Sequence, residues 1–456
     1  MRKGILSKRT GGVTVTIPFN QKLLKPNTLK ISGGTMHQEQ IEQPYLRTWQ
    51  LGAIFLLSCC VLVTRRPDAI FHAQFWAEDG RIFFADAYNI GPWDSLFQRF
   101  AGYYHAVPRI GAALALLAPL ALAPLVLNLI AIAAQALPVC YLLSSRSSAW
   151  GSLRYRTLMC ALYLALPNCR ELGAIITNSQ CVLSLSVFLL LVASPPRCRW
   201  GQMFDMLLFL LCGLSGPYCF FLAPIALFLA WKKSDRWRWG SAGALVVCSL
   251  IEMWGVIMIP NARPHYSLGA SPALFARLLA GHVYLGTVLG SNALAASPDI
   301  GVAGFLFLVA AGGTAIFSIC FLKSAMEMRL FILFSSMVFA ASLISPVVFP
   351  PAGSTVWGLL ARAGGIRYWF FPSLAFAWTL LWCLGSRVAA LKAVATVLLV
   401  LMTFGIALDW RNSAFKDFHF EEYAKRLEAA PVGTALTIPE NPEGWNMRLV
   451  KHPPNR

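Results

Sequence analysis

Residues 65–109 read RRPDAIFHAQFWAEDGRIFFADAYNIGPWDSLFQRFAGYYHAVPR and hold five of the chain's twenty acidic residues: Asp68, Glu78, Asp79, Asp86 and Asp94. Glu78 and Asp79 are adjacent, flanked by Trp76 and followed by Gly80 and Arg81. An aromatic ring beside a carboxylate is a way to stack a sugar while an oxygen accepts from its hydroxyls. The far end of the stretch groups Tyr103, Tyr104, His105 and Arg109, phosphate-binding types at the edge of the next apolar run. A second polar stretch, PNCRELGAIITNSQ, contributes Glu171 with the sugar-type hydrogen-bonding groups Asn178 and Gln180. GGIRYWF places Arg367 and Tyr368 just before a late apolar run, where an interfacial anchor is the plain alternative. NARPHYSLG offers Arg263, His265 and Tyr266, and Asp299 reads as a helix cap. No His pair has metal-ligand spacing, and neither a phosphate-binding glycine loop nor a Ser-His-Asp order is present.

These residues punctuate a chain whose composition leaves one solvent for its surface. Hydrophobic residues make up 57% of 456 positions and charged residues 13%, about half the charged share of a soluble chain. Apolar runs recur at lengths that cover a hydrocarbon core of about 30 Å, where the backbone must bond to itself as helix. The expected fold is all-α, a polytopic transmembrane bundle. The net charge of +18 does not point to nucleic acid, because the 38 Lys and Arg lie mostly in short loops. Nine of the twelve cysteines sit inside apolar runs, where cysteine acts as a small hydrophobe, so no disulfide or thiolate metal site is assigned.

Basic residues in short loops set the orientation. Residues 1–47 carry eight Lys or Arg, lack helical periodicity and are expected to be a disordered cytoplasmic segment, with Met36 as an alternative start. A first span at 48–64 then delivers 65–108 to the far side. The stretch 110–145, broken by Pro119 and Pro124, fits one crossing with an interfacial piece or two short crossings. The single crossing keeps Arg146, Arg154, Arg156, Arg197, Arg199, Lys232, Lys233, Arg236 and Arg238 on the cytoplasmic side. Further spans near 157–167, 180–194, 203–216, 217–231, 240–259, 300–322, 329–349, 368–385 and 390–408 complete eleven. Loops 168–179, 260–299 and 350–367 and the tail 409–456 fall outside. The tail predicts a helix over 417–428, with Phe420, Tyr423 and Leu427 on one face, and a strand at 434–438. It is too small for a core of its own and is expected to pack on the bundle.

An acidic pair in the first outer loop of a chain with about eleven spans, within FWAEDG…AGYYHAVPR, resembles the C-type glycosyltransferase superfamily. That group includes protein O-mannosyltransferases, lipid A aminoarabinose transferases and bacterial serotype-converting glucosyltransferases. The resemblance implies sugar transfer from a polyprenyl-phosphate carrier to an envelope glycan or lipid acceptor outside the bacterial inner membrane. By carry-over Asp79 is the first choice as general base and Glu78 the second. The phosphate leaving group needs its charge neutralised, by Arg109, by Arg367 with Tyr368, or by a divalent cation (Mg or Mn) on Glu78 and Asp79. A shorter tail than in well-known relatives departs from the pattern. Glu252 sits mid-span in SLIEMWGV, and an intramembrane acid also suits a transporter or flippase of a lipid-linked glycan. A non-catalytic scaffold for glycan assembly is the third reading.

Overall fold

The computed structural model describes residues 46–259, 266–295, 303–348, 350–363 and 366–453. The protein is mostly helical, and seven helices among these residues are long and apolar enough to cross a membrane: Thr48–Arg65, Leu120–Leu143, Arg236–Met258, Pro272–Ala295, Gly304–Lys323, Met326–Ile344 and Ala389–Asp409. Several present bare apolar surface. Leu250, Trp254 and Ile257 on one helix, and Val397, Phe404 and Leu408 on another, are exposed with no protein over them, which suits lipid as their solvent.

Two helices form the centre of the bundle. Ser179–Val192 and Phe370–Leu384 are buried almost all round. Phe188 stacks on Phe334 at 5.4 Å, Phe331 lies 4.6 Å from Trp378, and Trp378 Nε1 donates to Met159 O (3.1 Å). At 14 and 15 residues these helices are about 21–23 Å long, short of a bilayer core. Short 3₁₀ turns extend them at one end, Arg170–Leu172 and Ile176–Asn178 before the first and Arg367–Trp369 before the second. Irregular backbone at such depth is stable only where protein or a cavity surrounds it.

The opposite end is closed by arginines. Arg146 pairs with Asp205 (2.5 Å) and donates to Ser194 O. Arg156 donates to Leu142 O and Ser144 O, and Arg238 to Leu191 O and Ala193 O. Cations there complement the carbonyl ends of two helices. Three of the basic groups expected to share a side, Arg146, Arg156 and Arg238, therefore lie at one end of the bundle.

Residues 272–295 and the tail differ from expectation. Residues 272–295, expected within an outer loop, form the apolar helix Pro272–Ala295, with a π-helical stretch at Leu278–Leu285 and a break at Gly290 (φ +83°). The run begins and ends near the end opposite the arginines, while Tyr284 between them packs on Thr314 and Phe376 inside the bundle. Phe275 packs near Trp357, His282 O accepts from Asn168 Nδ2, and the restart after Gly290 is capped by Asp409. Similarly, Ala106–Ala115 begins with Ala106 N on Leu214 O, while Leu120–Leu122 beyond it packs on the tail helix Phe420–Ala429. Both ends of this piece thus lie on one side, and Leu120–Leu143 runs from there to the arginine end. The tail helix starts three residues later than expected, and the expected single strand is a hairpin, Ala435–Glu440 with Trp445–Val450.

Asp409 ties this end together. Its carboxylate accepts from Asn168 N (2.9 Å), Ser291 N (2.6 Å), Ser291 Oγ (2.9 Å) and Asn292 N (3.0 Å). Replacing Asp409 by Ala strands these buried donors, and the expected cost is on the order of 3 kcal/mol. A lowered melting temperature in detergent, with Asp409→Asn intermediate, is the outcome to measure.

Candidate active site

The first long loop folds into short helical pieces, Asp68–Phe71, Asp79–Phe84, Ala85–Ile90 and Pro92–Leu96. Five of the seven non-glycine residues with positive φ among the described residues lie in this loop or the next: Ala77, Ala101, His105, Asn168 and Ala174. Such conformations cost energy and persist where the surroundings over-determine them, which is typical of functional sites.

Asp79 is 2% exposed and its carboxylate is fully engaged. It accepts from Thr177 N (2.9 Å), Ile176 N (3.1 Å) and the Thr177 hydroxyl, and so caps the Ile176–Asn178 turn. Burial pushes its pKa up to about 7, the three hydrogen bonds oppose this, and Glu78 adds to it. Asp79 is therefore built into the fold, with no oxygen turned to open space. Its neighbour Glu78 has the opposite fate. It lines a cavity of about 250 Å³ together with Tyr103, His105, Gln180, Tyr218 and Arg367.

Arg367 donates to Glu171 Oε2 from both Nη1 and its backbone N (3.2 Å each) and lies over the Tyr368 ring at 4.9 Å. The Tyr368 hydroxyl accepts from Val347 N (2.8 Å), which fixes this wall. Gln180 donates to Thr177 O, while its Oε1 is buried without a partner. Asn178 donates to Glu171 O (2.7 Å) and orders the turn without lining the cavity. Glu171 lines a second cavity of about 370 Å³, with Arg66, Trp76, Arg170, Lys416 and Glu443. The Glu171–Arg367 pair thus stands between the two cavities.

The structure separates other expected members from the site. Arg109 is 1% exposed and set against the Phe83 ring, and it pairs at 2.6 Å with the partly exposed Asp86, a contact that holds the loop to Ala106–Ala115. Tyr104 accepts from Arg99 Nη2 (2.8 Å) and gives its backbone N–H to Glu252 Oε2 (3.3 Å). Glu252 is thus a bundle-facing anchor for the loop, and the carboxylate that favoured transport has a structural partner. His105, by contrast, stays in the cavity wall, with Nε2 approaching Phe100 O (3.2 Å). Trp76 stacks on Phe415 at 4.9 Å, so a residue from the tail already covers one of its faces. His265 and Arg263 lie outside the described residues.

Glu440 was not legible as a member. The hairpin carries it to the Glu78–Asp79–Gly80 turn, where a Cβ on Gly80 would strike Glu440 Oε2 and Phe75. Glu440 is 3% exposed, and its carboxyl lies near the Arg81 backbone N–H without normal hydrogen-bond geometry. Burial first, then Asp79 and Glu78, push its pKa from 4.5 up to about 9, against the pull of Arg81. The PENPEGW turn was the only signal, and it marked a turn and not a site.

Among the described residues no three His, Cys, Asp or Glu side chains are grouped to hold a metal ion, and both Asp79 oxygens are taken. The residues do not fit a divalent cation on the Glu78–Asp79 pair. No protein-family model matches the sequence, and no curated protein is similar to it at a significant level.

The raised carboxyls predict a pH dependence. Glu440 keeps its proton in the fold up to about pH 9 but loses it near 4.5 when unfolded, so its contribution is fully present below 4.5 and lost as pH rises toward 9. Glu440→Gln is expected to melt like wild type near pH 4.5 and higher than wild type at pH 8–9, measured by thermal unfolding in detergent.

Proposed function

We propose that the chain is a glycosyltransferase of the bacterial cytoplasmic membrane, moving a sugar from a polyprenyl-phosphate carrier to an envelope glycan or lipid acceptor. The observation that carries this reading is the sharing of one cavity by Arg367 and Glu78, which no hydrogen bond among the described residues consumes in the way Asp79 is consumed. In this reading Glu78 takes the proton of an acceptor hydroxyl as its oxygen attacks the anomeric carbon. The bond from that carbon to the phosphate oxygen breaks, and polyprenyl phosphate leaves with the electron pair. Arg367, with Tyr368 beside it, neutralises the charge on the departing phosphate. Tyr103, His105 and Gln180 supply polar contacts to the sugar.

An apolar groove of about 850 Å³ supports the lipid part. Phe275, Tyr284, Phe317, Phe321 and Phe339 line it, and helix Met326–Ile344 forms a wall of both groove and cavity. A polyprenyl chain seated there would bring its phosphate toward Arg367.

The topology in this reading has eleven crossings, a cytoplasmic N-terminus and an outer tail. Leu153–Leu164, Ser179–Val192, Arg199–Gly213, Cys219–Lys233 and Phe370–Leu384 cross as short helices, with Pro272–Ala295 and Ala106–Ala115 lying on the outer side. Cys198, exposed between Arg197 and Arg199, then faces the cytoplasm. An impermeant maleimide is expected to label it only after permeabilisation, and to label a Lys425→Cys variant in intact cells; the reverse pattern removes the orientation.

In proteoliposomes supplied with a lipid-linked sugar, Glu78→Gln is expected to lower transfer 10²- to 10⁴-fold at unchanged melting temperature. Asp79→Asn is expected to lower the melting temperature itself. Full transfer by Glu78→Gln would overturn the assignment and leave the scaffold reading.

A further inference from the structure

The second cavity has the chemistry of an anion site. It is lined by Arg66, Arg170 and Lys416 against Glu171 and Glu443, and both carboxylates are engaged, Glu171 with Arg367 and Glu443 with Lys416. Arg66 is 5% exposed. It donates Nη1 to Gly173 O (2.8 Å), lies over the Phe415 ring at 4.2 Å, and leaves Nε buried without a partner. Its environment is crowded with like charge: burial draws its pKa down to about 10, and repulsion from Arg170 and Arg65 adds to this, while Asp68 opposes it. Asp68 is itself occupied by the backbone N–H of Phe415 (2.9 Å). A buried cation in such company is stabilised by an oxyanion delivered from outside. Trp76 and Phe415, stacked at the same wall, add the aromatic surface on which a sugar ring packs.

We propose that this cavity binds the anionic group of the acceptor, a sugar phosphate or a uronate, so that an acidic glycan unit is held on the far side of the Glu171–Arg367 pair from the donor cavity. The assignment of the ligand as acceptor rests on the transferase reading; the oxyanion site itself does not. Arg66 would pair with the anion, and Trp76 would pack on its sugar.

The test uses the full chain in nanodiscs of neutral phosphatidylcholine, with no donor present. Glucose 6-phosphate and glucuronate are titrated against glucose, read by melting temperature and by tryptophan fluorescence with Trp76→Phe as control. Saturable binding of either acid but not of glucose, weakened at least tenfold in Arg66→Gln and in Arg170→Gln, is the expected result. Arg170→Gln guards against a folding defect from losing the Arg66–Gly173 contact. Absence of saturable binding by both acids, or unchanged affinity in both variants, would overturn the proposal. So would inorganic phosphate matching the sugar acids, or phosphatidylglycerol discs raising the melting temperature while the sugar acids do nothing, since the ligand would then be a free ion or a lipid headgroup. Binding retained in Glu78→Gln while no sugar is transferred by wild type would sink the transferase reading alone.

Discussion

The carboxylate of Asp79 accepts from two backbone amides and a hydroxyl of the Ile176–Thr177 turn, and the geometry of the site follows from that junction. A buried carboxylate is costly unless every oxygen is satisfied, and here the satisfaction comes from a segment almost one hundred residues away. The contact clamps the first long loop onto the turn that precedes the most buried helix. Because consecutive residues at a helix start diverge by about 100°, fixing Asp79 inward turns Glu78 toward the cavity. Arg109 with Asp86, and Tyr104 with Glu252, secure the rest of the loop.

The same constraint explains the shortness of the central helices. A membrane bundle satisfies backbone groups within helices, and polar turns at depth persist only when other protein encloses them. Ser179–Val192 and Phe370–Leu384 stop short, and the turns that complete them carry Glu171, Thr177 and Arg367. Long lipid-exposed helices surround these turns, while arginines close the opposite end on helix carbonyls. The turns that carry Glu171, Thr177 and Arg367 thereby lie together at the end opposite the arginines.

The tail completes this end. Phe415 stacks on Trp76, Phe420 packs edge-on against Phe75 at 4.9 Å, and Asn89 exchanges hydrogen bonds with Arg448 and Val450. Gly80 leaves the space that Glu440 fills, so the glycine after the acidic pair is a packing requirement. Three carboxyls then converge on one turn, and burial with mutual repulsion holds two of them partly or fully protonated near neutral pH.

Much of this was readable from the order of amino acids. Apolar runs and basic loops, read through bilayer thickness and charge placement, yield a mostly helical chain with membrane-length helices and the shared end of Arg146, Arg156 and Arg238. Local periodicity also located the tail helix. It misassigned 272–295, where Pro, Gly and Ser masked a helix interrupted at Gly290, and the family resemblance ranked Asp79 above Glu78. Those outcomes depend on long-range contacts: Asp79 with Thr177, Glu171 with Arg367, Gly80 with Glu440, and Asp409 with Ser291. A residue's type states which bonds it can form. Whether a carboxylate is spent on the fold or left facing a cavity is decided by partners that lie up to hundreds of residues away, and only the tertiary structure brings them together.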